Sequence, residues 1–262
     1  MKKSKILLTI TTWNQSEYTK ICLDSLKLIE EKCDILIIDD ASTDNTIDLC
    51  KEYGVEFISK KKGMGLTDSW NRAYKYFVKH NYDYFVIANN DIIVPSGALT
   101  ELKNLLDKWP SSLVVPLSTQ KGAGHNMNQI IDNWWGKQPE YEDPNYTTEV
   151  QKMMLMEKER VRKENNLYLL DPIRQKIFNG FFFMMNRKIC NYEMKDGNLF
   201  DPTLLNTKNE DEFNWTNLIS NDDFSLLCKT AFIYHFKGVS TYDVVKDYMT
   251  KSNDKNWIKN RK

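Results

Sequence analysis

An alternation of two hydrophobic periods fills the first half of this chain, and it limits the folds available more than any other feature. Short apolar runs stand at Ile6–Ile10, Ile35–Ile38, Val55–Ile58, Tyr84–Ala88 and Leu113–Pro116. Between them lie stretches with helical spacing: one from Ser16, then Thr43–Tyr53, Leu66–Lys79 and Ser96–Lys108. In the first of these, Ile21, Leu23, Leu26, Leu28 and Ile29 gather on one side. Strands that alternate with helices of about 10–15 residues imply βαβ units and a mostly parallel sheet. The runs lack polar alternation, as strands covered on both faces do. The expected fold class is therefore α/β, with helices flanking a central sheet.

After Leu117 the alternation breaks. Residues 118–176 hold Gly, Pro, Asn and aromatic residues, then a Lys/Glu/Met-rich helical piece near Glu149–Glu164. A second regular block begins at Ile177 and carries apolar runs at Phe181–Met185 and Phe232–His235. We read a single domain: a first half over 1–117, an inserted segment over 118–176, a second half over 177–245, and a polar tail over 246–262.

Composition narrows the function. The 262 residues carry 36 basic and 36 acidic side chains, a formal charge of zero. A nucleic-acid binder normally shows basic excess, so that class is disfavoured. No apolar run reaches the ~18 residues of a membrane span. The apolar stretch after Met1–Lys5 is too short for a signal-peptide core, so a cytoplasmic protein is expected, with peripheral membrane contact left open. The five cysteines are widely spaced and form no CxxC, which argues for free thiols rather than zinc or disulfides.

In open parallel sheets ligands bind beyond the carboxyl ends of the strands. The residues there are Thr11-Thr12-Trp13-Asn14-Gln15, Asp39-Asp40-Ala41-Ser42-Thr43-Asp44, Lys60–Gly65 and Asn89-Asn90-Asp91. The first turn has no Gly, so the dinucleotide fingerprint is missing; GxxxxGK[ST] and GxSxG are also absent. Such an Asp- and Asn-rich edge suits a nucleotide bridged by a hard cation, since Mg²⁺ or Mn²⁺ is typically held by one or two carboxylates plus substrate phosphates. Capping of the following helix is the competing use of Asp39, Asp40 and Asp44. Lys60–Lys62 reads either as an aid to a diphosphate or as a solvated run.

Six motifs in order resemble inverting glycosyltransferases of family 2 with the GT-A fold. They are Thr11-Thr12-Trp13-Asn14, Ile38 through Thr46 (a DD.S.D.T pattern), Asn89-Asn90-Asp91 at the DxD position, Phe178-Asn179-Gly180 through Arg187, Asn209-Glu210-Asp211-Glu212-Phe213, and His235-Phe236-Lys237-Gly238-Val239-Ser240. The resemblance covers about residues 4–118 and 177–242. It implies a Rossmann-like nucleotide-binding half and an acceptor-binding half. It also implies a nucleotide-sugar donor, a hydroxyl acceptor such as a glycan, and a divalent Mn²⁺ or Mg²⁺ cofactor.

The same resemblance assigns roles. Thr11 and Asp40 would contact the base and Asn89 a ribose hydroxyl, with Asn14, Gly65, Asn90 and Gly180 also lining the nucleotide-sugar site. Asp91 and His235 would hold the metal. Asp211 would be the general base, with Glu210 next in line. Asn89 replaces the first Asp of DxD, a variant that also resembles rhamnosyltransferase-like members; UDP- and dTDP-linked donors both stay open. In the inserted segment, Trp134 and Trp135 offer indole faces for an acceptor sugar, or packing. Two other classes compete. A sugar-phosphate nucleotidyltransferase would want a Gly-rich basic first turn, which is absent. A non-catalytic glycan-binding module would not need Asp91, Asp211 and His235.

Overall fold

The computed structural model describes residues 5–109, 113–118, 173–175, 180–203 and 225–236. In chain order these form β1 (Ile6–Thr12), α1 (Ser16–Lys27), β2 (Asp34–Asp39), α2 (Thr46–Tyr53), β3 (Glu56–Ser59), α3 (Leu66–Lys79) and β4 (Tyr84–Asn89). Then follow β5 (Ile92–Ile93), α4 (Ala98–Lys108), β6 (Leu113–Ser118), β7 (Ile173–Gln175), β8 (Phe182–Asn186), a 3₁₀ turn (Arg187–Tyr192) and β9 (Ser225–His235). The α/β expectation holds, and α3 has the bounds its periodicity dictates.

Among the described residues the strands form one sheet in the order β3-β2-β1-β4-β8-β6-β9-β5, with β7 also on β9. Strands β3, β2, β1 and β4 run parallel. Strand β8 enters antiparallel between β4 and β6, while β6 and β9 return to the first direction. Strands β5 and β7 run against β9. Two-residue β5 and three-residue β7 are too short to carry a periodicity, and neither was expected.

Every residue of β1 is buried, because helices cover both faces of the sheet. One face carries Leu7, Leu36, Phe85, Ile87, Phe183 and Met185 against Trp70, Ala73, Tyr74 and Phe77 of α3. Those four residues sit at i, i+3, i+4 and i+7, a single helical stripe. The other face carries Ile6, Leu8, Ile10, Val86, Phe182 and Met184 against α1, α2 and α4 through Cys22, Leu26, Cys50, Leu99 and Leu102. Helix α2 stops at Gly54, whose φ of 63° lets its N–H close onto the Cys50 and Lys51 carbonyls.

Helix α2 begins at Thr46, three residues later than expected, because Asp44 folds the intervening turn. Its carboxylate accepts the Thr46 N–H (3.0 Å) and hydroxyl (2.5 Å), and the Ser16 N–H (2.8 Å). One side chain thus fastens the starts of two helices. Burial pushes its pKa up, but the bonds from Thr46 and Ser16 outweigh this and hold the carboxyl below the ordinary range. Asp44 serves the start of α2 from one residue before the cap position, which Asn45 occupies. All five cysteines are free, with Cys22, Cys50 and Cys228 buried. Among the described residues no helix is long and apolar enough to cross a membrane.

Candidate functional site

Strand register gathers the site. The parallel pairing sets Thr11 beside Asn89 and Ile38, and Thr12 beside Asp39, which in turn stands beside Ser59. The carboxyl ends of β1, β2, β3 and β4 therefore form one edge. Strand β8 runs the other way, so its start reaches the same edge, with Phe182 opposite Ala88. Buried Gly180 and Phe181 lie in the turn leading into it, and the Phe181 carbonyl accepts the Asn89 N–H at 2.8 Å. Pairing of Ile92 with His235 carries the end of β9 alongside Asp91.

Two turns at this edge hold unusual backbone. Asn14, Gln15 and Ala41 have φ of 55°, 62° and 62°, a left-handed conformation that costs a non-glycine residue about 1–2 kcal/mol. They stay there because the turns are laced together. The Ser42 hydroxyl accepts the Asn14 N–H (2.7 Å), and the Asn14 side-chain oxygen accepts the Thr43 N–H (2.8 Å). Asn90 donates to the Thr19 hydroxyl (3.0 Å) at the start of α1. Asn14 and Asn90 thus spend side-chain groups on the scaffold of the edge. Thr11 is buried and its hydroxyl points at the Ala88 carbonyl (3.5 Å). Trp13, two residues on, is 42% exposed.

The two aspartates after β2 differ. Asp39 is fully buried; its oxygens accept from the Ser42 N–H (3.2 Å), the Ser59 hydroxyl (2.7 Å) and the Thr12 hydroxyl (3.4 Å). Asp40 faces the loop before α3. It accepts the N–H groups of Met64 (2.8 Å) and Gly65 (2.9 Å) and meets the Lys60 ammonium at 2.5 Å. Gly65 itself has φ 84°, and a Cβ added at Gly63 would make only an ordinary contact, 3.5 Å, with the Asp40 carbonyl. Any base contact by Asp40 must therefore share a carboxylate that already holds this loop.

Lys60 departs from both sequence readings. It is neither solvated nor directed at the ligand edge alone, for its side chain is 1% exposed. Its ammonium is ringed by Asp40, Asp68 (3.1 Å), the Ser69 hydroxyl (2.8 Å) and the Gly65 carbonyl (3.2 Å). Lys61 and Lys62 do face solvent. Nothing in a run of three lysines marks which one is buried; the complementary signal is Asp68 in the first turn of α3. Arg187 of the later motif lies at the opposite end of the sheet, donating to the Tyr82 carbonyl at 2.8 Å.

Asp91 and His235, 144 positions apart, meet with Oδ1 and Nε2 separated by 3.2 Å, and both are 6% exposed. Phe181 stacks on the imidazole, centroids 4.6 Å apart and planes 13° from parallel. Two donors in neighbouring positions of an octahedron with ~2.1 Å bonds stand about 3 Å apart. Carboxylate oxygen and imidazole nitrogen together suit Mn²⁺ and similar cations. The pair fits a metal on both spacing and chemistry. Among the described residues no cluster of three or more such ligands exists. Burial first, and the Asp91 charge second, push the Cys22 thiol far up.

Of the residues expected at the site, Thr11, Asn14, Asp40, Gly65, Asn89, Asn90, Asp91, Gly180 and His235 share this edge. Glu210, Asp211, Trp134 and Trp135 lie outside the described residues. Asn71, which the sequence did not single out, is buried; it accepts the Leu199 and Phe200 N–H groups (3.0 and 2.9 Å) and donates to the Phe200 carbonyl (2.9 Å). That fixes the stretch preceding the Asn209–Phe213 run onto α3.

A family model described as "Glycosyl transferase family 2" matches residues 8–192. No curated protein matches the chain. Among solved structures it is similar to residues 1–349 of S. aureus TarS, at 15% identity and TM-score 0.58, covering 94% of this chain and 65% of that one. It is also similar to the Pyrobaculum calidifontis mannosyltransferase PcManGT in complex with GDP-Man and Mn²⁺, at 13% identity and TM-score 0.58, covering 97% and 66%. GalNAc-T7 with UDP, GalNAc and Mn²⁺ matches at 13% identity and TM-score 0.61, covering 89% and 44%. The chain thus spans about two thirds or less of each of these structures, and at such identities the likeness is one of fold.

Proposed function

This chain belongs to glycosyl transferase family 2, and from that premise we propose that it transfers a sugar from a nucleoside diphosphate to a hydroxyl acceptor, with inversion at the anomeric carbon. The observation that carries the reading is the Asp91–His235 pair at the strand-end edge, a carboxylate and an imidazole 3.2 Å apart in a buried setting. Solved relatives of the fold hold UDP or GDP-Man together with Mn²⁺, which supports the same ligands here.

In this reading Asp91 and His235 hold a Mn²⁺ or Mg²⁺ ion, which when bound stabilises the leaving diphosphate as a Lewis acid. The turns after β1 and β2 and the Met64–Gly65 loop receive the nucleoside. Thr11 and Asp40 contact the base and Asn89 a ribose hydroxyl, a reading supported by their shared place at the strand-end edge. Lys60 and Asp40 keep the loop closed against that nucleoside. Asp211 takes the proton from the acceptor hydroxyl, with Glu210 as the alternative, and Trp134 and Trp135 receive the acceptor sugar. UDP- and dTDP-linked donors are both consistent with this edge, rhamnose among the sugars because of the Asn89-Asn90-Asp91 variant. The cytoplasm, with or without peripheral membrane contact, is the compartment proposed.

Titration calorimetry of UDP and dTDP with and without Mn²⁺ tests the reading. Mn²⁺ is expected to tighten nucleotide binding to the native protein, and Asp91→Ala and His235→Ala are each expected to erase at least about tenfold of that gain. Metal-dependent affinity that survives both substitutions would reject the shared metal site. A product whose anomeric configuration matches the donor would reject inversion.

A further inference from the structure

Phe181 touches both arms of the site. Its carbonyl holds the Asn89 N–H at 2.8 Å, at the start of the Asn89-Asn90-Asp91 run. Its ring lies flat on His235, 4.6 Å between centroids and 13° between planes. The ring is 1% exposed, so it is itself locked by packing. An imidazole reaches Asp91 only in one orientation of its plane, since rotation about its Cβ–Cγ bond swings Nε2 away from the 3.2 Å approach. A locked aromatic face against the imidazole opposes that rotation. The backbone bond to Asn89 ties the same residue to the segment that carries Asp91.

We propose that Phe181 is a positioning residue for the metal site, its ring holding the His235 imidazole in the plane that points Nε2 at Asp91. The inference rests on the metal-site reading given above and adds to it the residue that sets the ligand geometry. Groups that orient a metal-bound histidine typically change metal affinity 10–100-fold when altered. Phe181 does so by its face rather than by a hydrogen bond.

The experiment measures Mn²⁺ binding directly, from the electron paramagnetic resonance signal of free Mn²⁺ at saturating UDP. Native protein is compared with Phe181→Leu, His235→Ala and Phe183→Leu. Phe183 is a fully buried phenylalanine of β8, two residues further on, packed edge-on against Trp70 at 5.8 Å. Phe181→Leu is expected to weaken Mn²⁺ binding about tenfold or more, with UDP affinity in the absence of metal unchanged. The kinetic counterpart is a raised activation constant for Mn²⁺ and a kcat restored by excess Mn²⁺, which a general loss of packing does not produce. Phe183→Leu is expected to lower the melting temperature without moving Mn²⁺ affinity. If Phe181→Leu does not fold, Phe181→Met fills similar volume without a ring face and carries the same expectation. Mn²⁺ affinity within twofold of native in the Phe181 variant, while His235→Ala abolishes it, would overturn the proposal alone. Equal weakening by Phe181→Leu and Phe183→Leu would overturn it in favour of packing. Unchanged affinity in His235→Ala would instead bring down the metal-site reading, and this inference with it.

Discussion

Replacing Lys60 by Met keeps the length of the side chain and removes the charge at the centre of the loop before α3. The ammonium is 1% exposed and touches four oxygens: Asp40, Asp68, Ser69 and the Gly65 carbonyl. Its three donors serve Asp68, Ser69 and the Gly65 carbonyl in charge-assisted bonds worth about 1.5–3 kcal/mol each, and Asp40 adds an ion pair. Against this stands the ammonium's desolvation, several kcal/mol, which the substitution returns. Breaking one side of a fully buried pair costs about 3–5 kcal/mol. Here the carboxylates are 16% and 22% exposed. They also keep other donors, the Met64 and Gly65 N–H groups on Asp40 and Arg72 on Asp68. The expected loss is therefore about 2–4 kcal/mol. For a domain of this size that is a fall in Tm of roughly 5–12 °C. Urea unfolding followed by tryptophan fluorescence measures it. Nucleotide affinity should fall as well, because the Met64–Gly65 loop loses its anchor. Adding Asp40→Asn should recover part of the loss, a coupling of about 1–3 kcal/mol, since the two residues share one network. A Tm within about 2 °C of native, or strict additivity in the double variant, would refute the reasoning.

The remaining predictions bear on chemistry and acid stability. Asp211→Asn should lower turnover by two or more orders of magnitude, the scale of general-base catalysis, with UDP affinity by calorimetry unchanged; near-native turnover would move the role to Glu210. Trp134→Ala or Trp135→Ala should raise the acceptor KM and leave donor hydrolysis and UDP affinity in place, whereas a sharp fall in Tm with normal acceptor kinetics would make the pair packing. Burial works to raise the Asp68 carboxyl, but bonds from Arg72 and Lys60 hold it below its ordinary range. A lowered folded pKa means that the unfolded chain binds the proton first as pH falls. The stability Asp68 supplies is complete above about pH 5 and drains away as pH falls through the folded value. Asp68→Asn should therefore flatten the decline of Tm below about pH 4, and an unchanged slope would count against the network.

The parallel half of the sheet was legible because its strands are buried on both faces and its helices carry single apolar stripes, as Trp70, Ala73, Tyr74 and Phe77 do. What followed from local pattern was less secure at the ends of elements. Side chains such as Asp44 and glycines such as Gly97, with φ 89°, set the first turn of a helix. Strands β5 and β7 were not legible, since two or three residues carry no period. That the candidate residues share one sheet edge follows from their place after strands, whereas the contacts each of them makes do not. Asn14, Asp40 and Asn90 sit where the motifs put them, and the structure shows each spending polar atoms on neighbouring turns. A composition count cannot separate a carboxylate that binds a ligand from one that holds a loop; the partners Met64, Gly65 and Lys60 do.

The Asp91–His235 pair shows where that limit comes from. Asp91 follows β4 in the half whose order is set by consecutive βαβ units, while His235 ends β9, which the chain forms only after the inserted segment. Their meeting depends on pairings that no local signal specifies: β8 entering antiparallel between β4 and β6, β9 alongside β6, and β5 closing onto β9. Ile92 opposite His235 is the register that matters, because a one-residue slip would turn the imidazole to the other face of the sheet. The Phe236 N–H, bonded to the Asp91 carbonyl at 3.0 Å, pins that register at the site itself. The late half of the chain is therefore positioned by the first half, and backbone pairing by itself brings the His235 imidazole to the Asp91 carboxylate.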